Sequence, residues 1–124
     1  MQEIKFKGLN HSYSIFIGNN IINLLPKKIK NICPNTKKVA LIIDSKVPSK
    51  FKRLIKHKLK NYNLLILPFS ASEKNKSFKK VNFYLNKMLK KKFNRSDLVI
   101  GLGGGITGDV AGFVASIFKR GINF

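Results

Sequence analysis

One stretch near the C-terminal end of the chain, residues 97–116, constrains the fold more than any other. It opens on the short apolar run of residues 98–100, which is typical of a buried strand. Four of the next five residues are glycines, and after Gly108 apolar side chains return at the spacing of a helix. The order of strand, glycine turn and helix predicts an α/β fold.

The glycine turn is suited to bind a phosphate, because bare backbone N–H groups at the positive end of a helix dipole attract anions. Gly103, Gly105 and Gly108 match the spacing G-x-G-x-x-G. The ordinary dinucleotide fingerprint lies on the first strand of its unit and has an acid about 20 residues further on. Here the turn follows the last predicted strand, and no acid follows Asp109. A tight turn with close packing of the helix on the strand therefore stays open as the alternative interpretation.

A hairpin and a helix are predicted before residue 38. Residues 4–9 and 13–17 have the alternation of strands, and residues 10–12 form a short turn between them. Asn20 is a suitable N-cap for a helix over residues 21–30. Pro26 lies inside that helix and should break or kink it.

From residue 38 onward, strands and helices alternate. The strand Lys38–Asp44 is apolar on both faces, as a central parallel strand should be. Pro48 begins the next helix, residues 64–67 form the next strand, and Ser77 caps the helix that leads to the last strand. The pattern predicts a Rossmann-like α/β fold, a parallel sheet with right-handed crossovers and flanking helices on both faces, preceded by the N-terminal β-hairpin.

The carboxyl ends of the three parallel strands should meet at one sheet edge, where open α/β sheets bind ligands. Asp44, the polar loop 70–76 and the glycine turn are placed there by the pattern. Asp44 or Glu73 can accept hydrogen bonds from ribose hydroxyls, and Lys76 can donate to an oxygen. We place Asp109 in the first helical turn, where it would repel a phosphate and would instead accept from an amide or hydroxyl of the ligand.

The chain carries 25 Lys+Arg and 5 Asp+Glu, a formal net charge of +20, which is typical of proteins that bind polyanions. Most of these cations are lysines scattered over several predicted helices, and abundant Asn, Ile and Phe accompany them, as an AT-rich coding sequence produces. We therefore expect no specific nucleic acid partner. A basic nucleic-acid-binding module stays as the non-enzymatic alternative.

The remaining reactive side chains favour neither a disulfide nor a metal site. Cys33 is the single cysteine, which suits a cytoplasmic protein. His11 and His57 have no ligand spacing with another His, Cys or acid, so we expect no metal ligands in this chain. No run of 18 apolar residues and no signal-like N-terminus occurs, so no contact with a membrane is expected.

The glycine stretch resembles the signature of the 3-dehydroquinate synthase family. That family has a triple glycine, two variable residues, a Gly-Asp pair, a helix rich in Gly, Phe and Ala, and an Arg-Gly pair. Residues 103–109, 111–113 and 120–121 match this signature without a break. The match is far more specific than a lone glycine motif.

A second segment extends the resemblance. The family carries Asp-Gly-Glu-x-x-Lys-Ser after the corresponding strand, where it contacts NAD. Glu73, Lys76 and Ser77 match this segment, whereas residues 71–72 are Ala-Ser and replace the Asp-Gly. The hairpin and Asp44 also fit the start of the family, so the resemblance covers residues 1–124 as the amino-terminal NAD-binding domain.

The resemblance implies a set of cofactor-binding residues at the sheet edge and one residue for the substrate phosphate, Arg120. The implied NAD-binding residues are Asp44, Glu73, Lys76, Gly104, Gly105, Ile106, Thr107, Gly108 and Asp109. No catalytic residue and no metal ligand is implied within this chain.

By resemblance the full enzyme is a carbon–oxygen lyase of the shikimate pathway of aromatic amino acid biosynthesis. It converts 3-deoxy-D-arabino-heptulosonate 7-phosphate to 3-dehydroquinate and phosphate, with NAD as a transient oxidant. A zinc or cobalt ion is held by one Glu and two His of a helical second domain, which is absent here. We expect the chain to come from a truncated, split or partial coding sequence and to be inactive alone.

Expected partners are NAD, the sugar-phosphate substrate, the missing C-terminal domain or a split partner chain, and a second copy in a homodimer. Two alternatives within the same architecture are another sugar-phosphate cyclase and a metal-dependent polyol dehydrogenase. A decaying gene product without function is a further one.

Overall fold

A computed structural model describes all 124 residues. The chain forms five strands, four α-helices and two short 3-10 helices. Their bounds in chain order are β1 Gln2–Lys7, β2 Ser12–Ile17, a 3-10 helix Ile21–Leu24, α1 Leu25–Ile32, β3 Lys38–Asp44, α2 Ser49–Lys58, β4 Asn63–Phe69, α3 Phe78–Lys90, β5 Leu98–Leu102, α4 Gly105–Ile117 and a 3-10 helix Phe118–Arg120. No helix combines the length and the apolar character needed to cross a membrane.

The central sheet is parallel and has the strand order β4-β3-β5. Val39 of β3 lies opposite Leu64 on one side and Leu98 on the other. The chain moves from β3 outward to β4 and then crosses over β3 to reach β5. The strand order therefore reverses beside the carboxyl end of β3, which is the position where open α/β sheets form a ligand crevice.

Helices cover both faces of this sheet, because β3 is apolar on both of its faces. One core includes Ala40 and Ile42 and packs against α3 and α4. The other includes Val39, Leu41 and Ile43 and packs against α1 and α2. All five side chains are buried. The predicted Rossmann-like fold with flanking helices is confirmed.

The predicted N-terminal hairpin is also confirmed, as a separate antiparallel sheet of β1 and β2. Phe6 and Tyr13 lie opposite each other, and their stacked ring centroids are 5.0 Å apart. Lys28 of α1 lies over the ring of Phe16, 4.1 Å from its centroid. That cation–π contact joins the hairpin to the α/β body.

The segment before β3 differs from the prediction of one helix over residues 21–30. Pro26 lies in the first turn of α1, where its missing N–H needs no partner, and Ile21–Leu24 forms a separate 3-10 helix. Asn20 has a left-handed φ of 57° and its side chain caps nothing. Ser77 does cap α3 as predicted, because its Oγ accepts from the backbone N–H of Lys80 at 3.3 Å.

The buried carboxylate of Asp97 aligns the amino ends of β3 and β5. Its Oδ1 accepts from the backbone N–H groups of Lys37 and Lys38 at 3.2 and 2.9 Å, and its Oδ2 accepts from that of Asn94 at 2.9 Å. Thr36 adds a bond from its Oγ1 to the carbonyl of Ser96 at 3.0 Å. This alignment fixes the register that brings the opposite ends of the two strands together.

Candidate functional site

The glycine turn presents open backbone donors at the start of α4. The helix begins at Gly105, with Gly104 as N-cap, and its first backbone bond runs from the N–H of Gly108 to the carbonyl of Gly104. The N–H groups of Gly105, Ile106 and Thr107 form no hydrogen bond. Three donors at the positive end of a helix dipole can bind an anion.

Two glycines of this stretch are required by packing. A Cβ at Gly101 would lie 2.9 Å from the Cβ of Ala111 on α4. A Cβ at Gly103 would lie 2.5 Å from Thr107 Oγ1 and 2.9 Å from the Cβ of Asp44. Close packing of helix on strand, the alternative interpretation of the glycines, is therefore correct at these two positions.

At three other positions of this stretch, packing does not require glycine. A Cβ at Gly104, Gly105 or Gly108 would meet no atom within 4 Å, and none of the three has a left-handed φ. Side chains there would instead cover the approach to the open N–H groups. Ile106 beside them packs its side chain against the core under α4.

Asp44 packs directly against Gly103 of the glycine turn, and both residues line a crevice of about 360 Å³. Asp44 ends β3, and its Oδ1 accepts from the backbone N–H of Lys46 at 3.0 Å, which holds the carboxylate in place. Leu102 and Gly104 also line this crevice. As predicted, Asp44 therefore lies next to the glycine turn, at the sheet edge where the strand order reverses.

Lys76 and Asp109 form an ion pair, with Nζ 2.8 Å from Oδ2. The hydrogen bond to Asp109, followed by the charges of Asp109 and Glu73, raises the pKa of Lys76. The placement of Asp109 in the first helical turn was wrong, because α4 already begins at Gly105 and Asp109 lies one turn beyond. Its carboxylate thus stands clear of the open N–H groups and does not oppose an anion there.

Beside this ion pair, a cavity of about 340 Å³ opens between the first turn of α3 and the middle of α4. Phe78 and Phe113 line it, with ring centroids 5.9 Å apart in an edge-to-face arrangement. The sequence pattern did not predict this cavity. The available signal was an aromatic residue, Phe78, directly after the N-cap Ser77 and at the first position of α3.

Arg120 lies at the opposite end of α4 from the other predicted site residues. At 1.5 Å per residue, the 13 residues of α4 separate it from the glycine turn by about 20 Å. Its turn is held at the amino edge of the sheet by a bond from Lys119 Nζ to the carbonyl of Phe93 at 2.9 Å and by one from Arg95 Nε to that of Gly121 at 3.2 Å. Within one copy, a single phosphate group therefore cannot contact both Arg120 and the turn.

The chain's own side chains do not fit a catalytic metal. No three His, Cys, Asp or Glu side chains group together.

Burial raises the pKa of the Cys33 thiol, which keeps it protonated and unreactive at neutral pH.

Comparison with known proteins agrees with this geometry. Residues 66–124 match the family model described as 3-dehydroquinate synthase N-terminal. The 3-dehydroquinate synthase of Pelagibacter ubique is 45% identical over 98% of this chain and 33% of its own length. That of Clostridium botulinum is 36% identical over 100% of this chain and 36% of its own length. The chain thus spans about a third of the length of these curated relatives.

Solved structures show the same fold. The crystal structure of 2-deoxy-scyllo-inosose synthase complexed with carbaglucose-6-phosphate, NAD+ and Co2+ superposes with a TM-score of 0.85 at 23% identity, over 98% of this chain and 33% of the other. NADH-dependent butanol dehydrogenase A from Thermotoga maritima superposes with a TM-score of 0.62 at 25% identity, over 80% of this chain and 24% of the other. This chain is therefore similar to the amino-terminal domain of 3-dehydroquinate synthases.

Proposed function

We propose that the chain binds NAD at the carboxyl edge of its sheet, as the nucleotide-binding part of a 3-dehydroquinate synthase of the shikimate pathway. The observation that carries this proposal is the set of Gly104, Gly105 and Gly108. Neither packing nor backbone conformation requires glycine at these positions, and each leaves the approach to open N–H groups free. A phosphate group of the cofactor explains why side chains are absent there.

Different residues at the carboxyl edge of the sheet bind different parts of the dinucleotide. The N–H groups of Gly105, Ile106 and Thr107 bind the diphosphate. Asp44 and Glu73 accept hydrogen bonds from ribose hydroxyls, because a carboxylate offers two acceptor oxygens. A bound dinucleotide therefore spans the reversal of strand order, from the turn to the carboxyl end of β3.

Lys76 and Asp109 act as a pair at the α3 side of the site. Asp109 holds the ammonium of Lys76 in one place, and Lys76 in turn donates to an oxygen of the ligand. The polar rim that they form, next to the apolar cavity between α3 and α4, orients a ring with one polar edge.

NAD, when bound, would supply the transient oxidant that the family reaction uses. This chain's own contribution is to hold and orient the cofactor. The divalent metal of the family reaction does not fit the residues present here, so no step is assigned to it. The synthase activity requires a further polypeptide that carries the metal ligands, either a covalent continuation or a separate partner chain.

Arg120 can bind the substrate phosphate, but not a phosphate that is bound at the glycine turn of the same copy. The substrate phosphate must then lie near the far end of α4. A planar guanidinium suits a phosphate, and Arg120 is exposed at the end of its turn. A site completed by a second copy or by the partner polypeptide would satisfy this geometry. The single cysteine agrees with the proposed cytoplasmic location.

Binding is tested by titrating the isotope-labelled chain with NAD and following backbone amide resonances. The amides of residues 104–109 should shift first, while those of residues 118–121 at the far end of α4 should not. A titration to millimolar NAD that leaves the glycine-turn amides unmoved would contradict the proposal.

Activity is tested separately with the sugar-phosphate substrate, NAD and zinc. The chain alone should release no phosphate, and release should begin when a polypeptide with the metal ligands is added. Turnover by the chain alone would show that a second polypeptide is not required. A net change in NADH would instead favour a dehydrogenase, because the synthase returns its hydride.

A further inference from the structure

The hydroxyl of Thr107 is a buried polar group without a partner. Thr107 is fully buried, and its Oγ1 is the one buried side-chain polar atom of the structure that forms no hydrogen bond. Such groups are rare in folded proteins, because an unpaired buried hydroxyl loses its bond to water and gains none in return.

This hydroxyl lies directly beneath the glycine turn. A Cβ built on Gly103 would stand 2.5 Å from Thr107 Oγ1 and 2.8 Å from Thr107 Cβ. Gly103 itself is exposed, as are Gly104 and Gly105. The orphan hydroxyl therefore lies next to the exposed backbone that is proposed to hold the diphosphate.

The missing partner can be named from helix geometry. A Thr hydroxyl inside a helix ordinarily donates to the carbonyl four residues earlier, which for Thr107 is that of Gly103. Gly103 lies before the helix, in the bend that precedes Gly104, whose φ and ψ are −86° and −167°. In this conformation the bond from Thr107 to Gly103 is not made.

We propose that Thr107 is a positioning residue for the glycine turn, and that its hydroxyl donates to the carbonyl of Gly103 when the turn binds the diphosphate of a dinucleotide. The proposal rests on the proposed function. A rotation of the peptide between Gly103 and Gly104 that aims the Gly104 N–H outward, as a further donor to the phosphate beside those of residues 105–107, aims the Gly103 C=O inward, toward Thr107. Because Gly103 and Gly104 flank that peptide, no Cβ of either residue opposes the rotation. Phosphate binding and satisfaction of the hydroxyl thus favour the same conformation.

The test compares Thr107→Val and Thr107→Ser with a matched control, Thr36→Val. Thr36 is also buried, but its hydroxyl already donates to the carbonyl of Ser96 at 3.0 Å, and it lies at the amino edge, away from the turn. For each variant, the unfolding temperature without ligand and the Kd for NAD by calorimetry are measured.

Without ligand, Thr107→Val should melt at or above the wild-type temperature, because no bond is lost, whereas Thr36→Val should melt lower. The Kd for NAD should rise about three- to tenfold in Thr107→Val, the worth of one hydrogen bond. Thr107→Ser should restore most of the affinity, and Thr36→Val should bind as the wild type. A purely structural role of Thr107 would move the melting temperature and leave the Kd unchanged.

An unchanged Kd in Thr107→Val, or a ligand-free melting temperature lowered as far as in Thr36→Val, would overturn the inference while leaving NAD binding intact. If the wild type does not bind NAD, the same variants are titrated with inorganic pyrophosphate. Binding of pyrophosphate that weakens in Thr107→Val would then support the inference and reject the proposed cofactor. Absence of binding to either probe would reject both.

Discussion

The Nζ atom of Lys76 lies 2.8 Å from Oδ2 of Asp109, and this contact joins the loop after β4 to the second turn of α4. The two side chains are 33 residues apart in sequence. They remain 44% and 59% exposed, so water screens their attraction and the pair adds little to stability. Its consequence is positional, because it places an ammonium and a carboxylate together at the rim of the cavity that Phe78 and Phe113 line.

Replacing Lys76 with Met should therefore leave the unfolding temperature close to that of the wild type and weaken NAD binding. Met keeps the length and most of the apolar stem of the side chain but cannot donate to the ligand. Thermal melts and calorimetry measure the two quantities. Lys74→Met is the matched control, because Lys74 is an exposed cation of the same loop without an ion pair. Equal NAD affinities of the two variants would remove Lys76 from the site.

Substitution by alanine should lower the free energy of unfolding at a glycine that packing requires and raise it at a glycine that packing does not require. Gly103→Ala places a Cβ against Thr107 and Asp44, and such overpacking should lower the free energy of unfolding by about 1–3 kcal/mol. Gly105→Ala meets no atom within 4 Å and should raise it by up to about 1 kcal/mol, because alanine favours the helix. Urea denaturation gives both values.

The same Gly105→Ala variant should bind NAD more weakly than the wild type despite its greater stability. Its methyl group covers the approach to the first N–H groups of α4. Calorimetry on a variant shown to be folded by circular dichroism separates the two effects. Affinity equal to that of the wild type would indicate that glycine at 105 serves something other than a ligand.

Asp97→Ala should destabilise the fold strongly, by at least about 3 kcal/mol, because three backbone N–H groups at the amino edge lose a charged acceptor at once. Asp109→Ala is the control, since it removes a carboxylate that is exposed and contacts one flexible side chain. Urea denaturation should show a large fall in midpoint for the first variant and little change for the second. A small effect of Asp97→Ala would mean that water replaces the carboxylate.

Tyr84 should make the stability depend on pH in the alkaline range. Burial raises the pKa of Tyr84 from its ordinary 10.0 to about 12, and its hydroxyl donates to the carbonyl of Pro68 at 2.7 Å. Since the pKa is higher in the folded chain, this stabilisation is complete below pH 10 and is lost as the pH rises toward 12. The full effect is about 2–3 kcal/mol.

The difference between wild type and Tyr84→Phe isolates this contribution from the deprotonation of the many lysines. The wild type should lose free energy of unfolding between pH 10 and pH 12 more steeply than the variant. Parallel pH dependences of the two proteins would contradict the raised pKa.

Much of the fold could be predicted because its signals are local. The apolar run of β3 and the cap at Ser77 each follow from neighbouring residues, and both lie where they were expected. The prediction that Pro26 interrupts one long helix was wrong for an equally local reason. A proline can interrupt a helix or lie in its first turn, and the sequence does not show whether the preceding turn belongs to the same helix. The separation of Arg120 from the turn follows from the length of α4, which the family signature does not express.

The sequence by itself determined the order of strands and helices and the position of the glycine turn before the last helix, because hydrophobic periodicity and glycine act within a few residues. Only the tertiary structure decided which glycines serve packing and which leave N–H groups open, since that depends on the atoms that a Cβ would meet. Only the tertiary structure also showed that Lys76 pairs with Asp109 and that the hydroxyl of Thr107 has no partner. Both features depend on strand order and helix packing, which bring distant residues to one edge and carry Arg120 away from it.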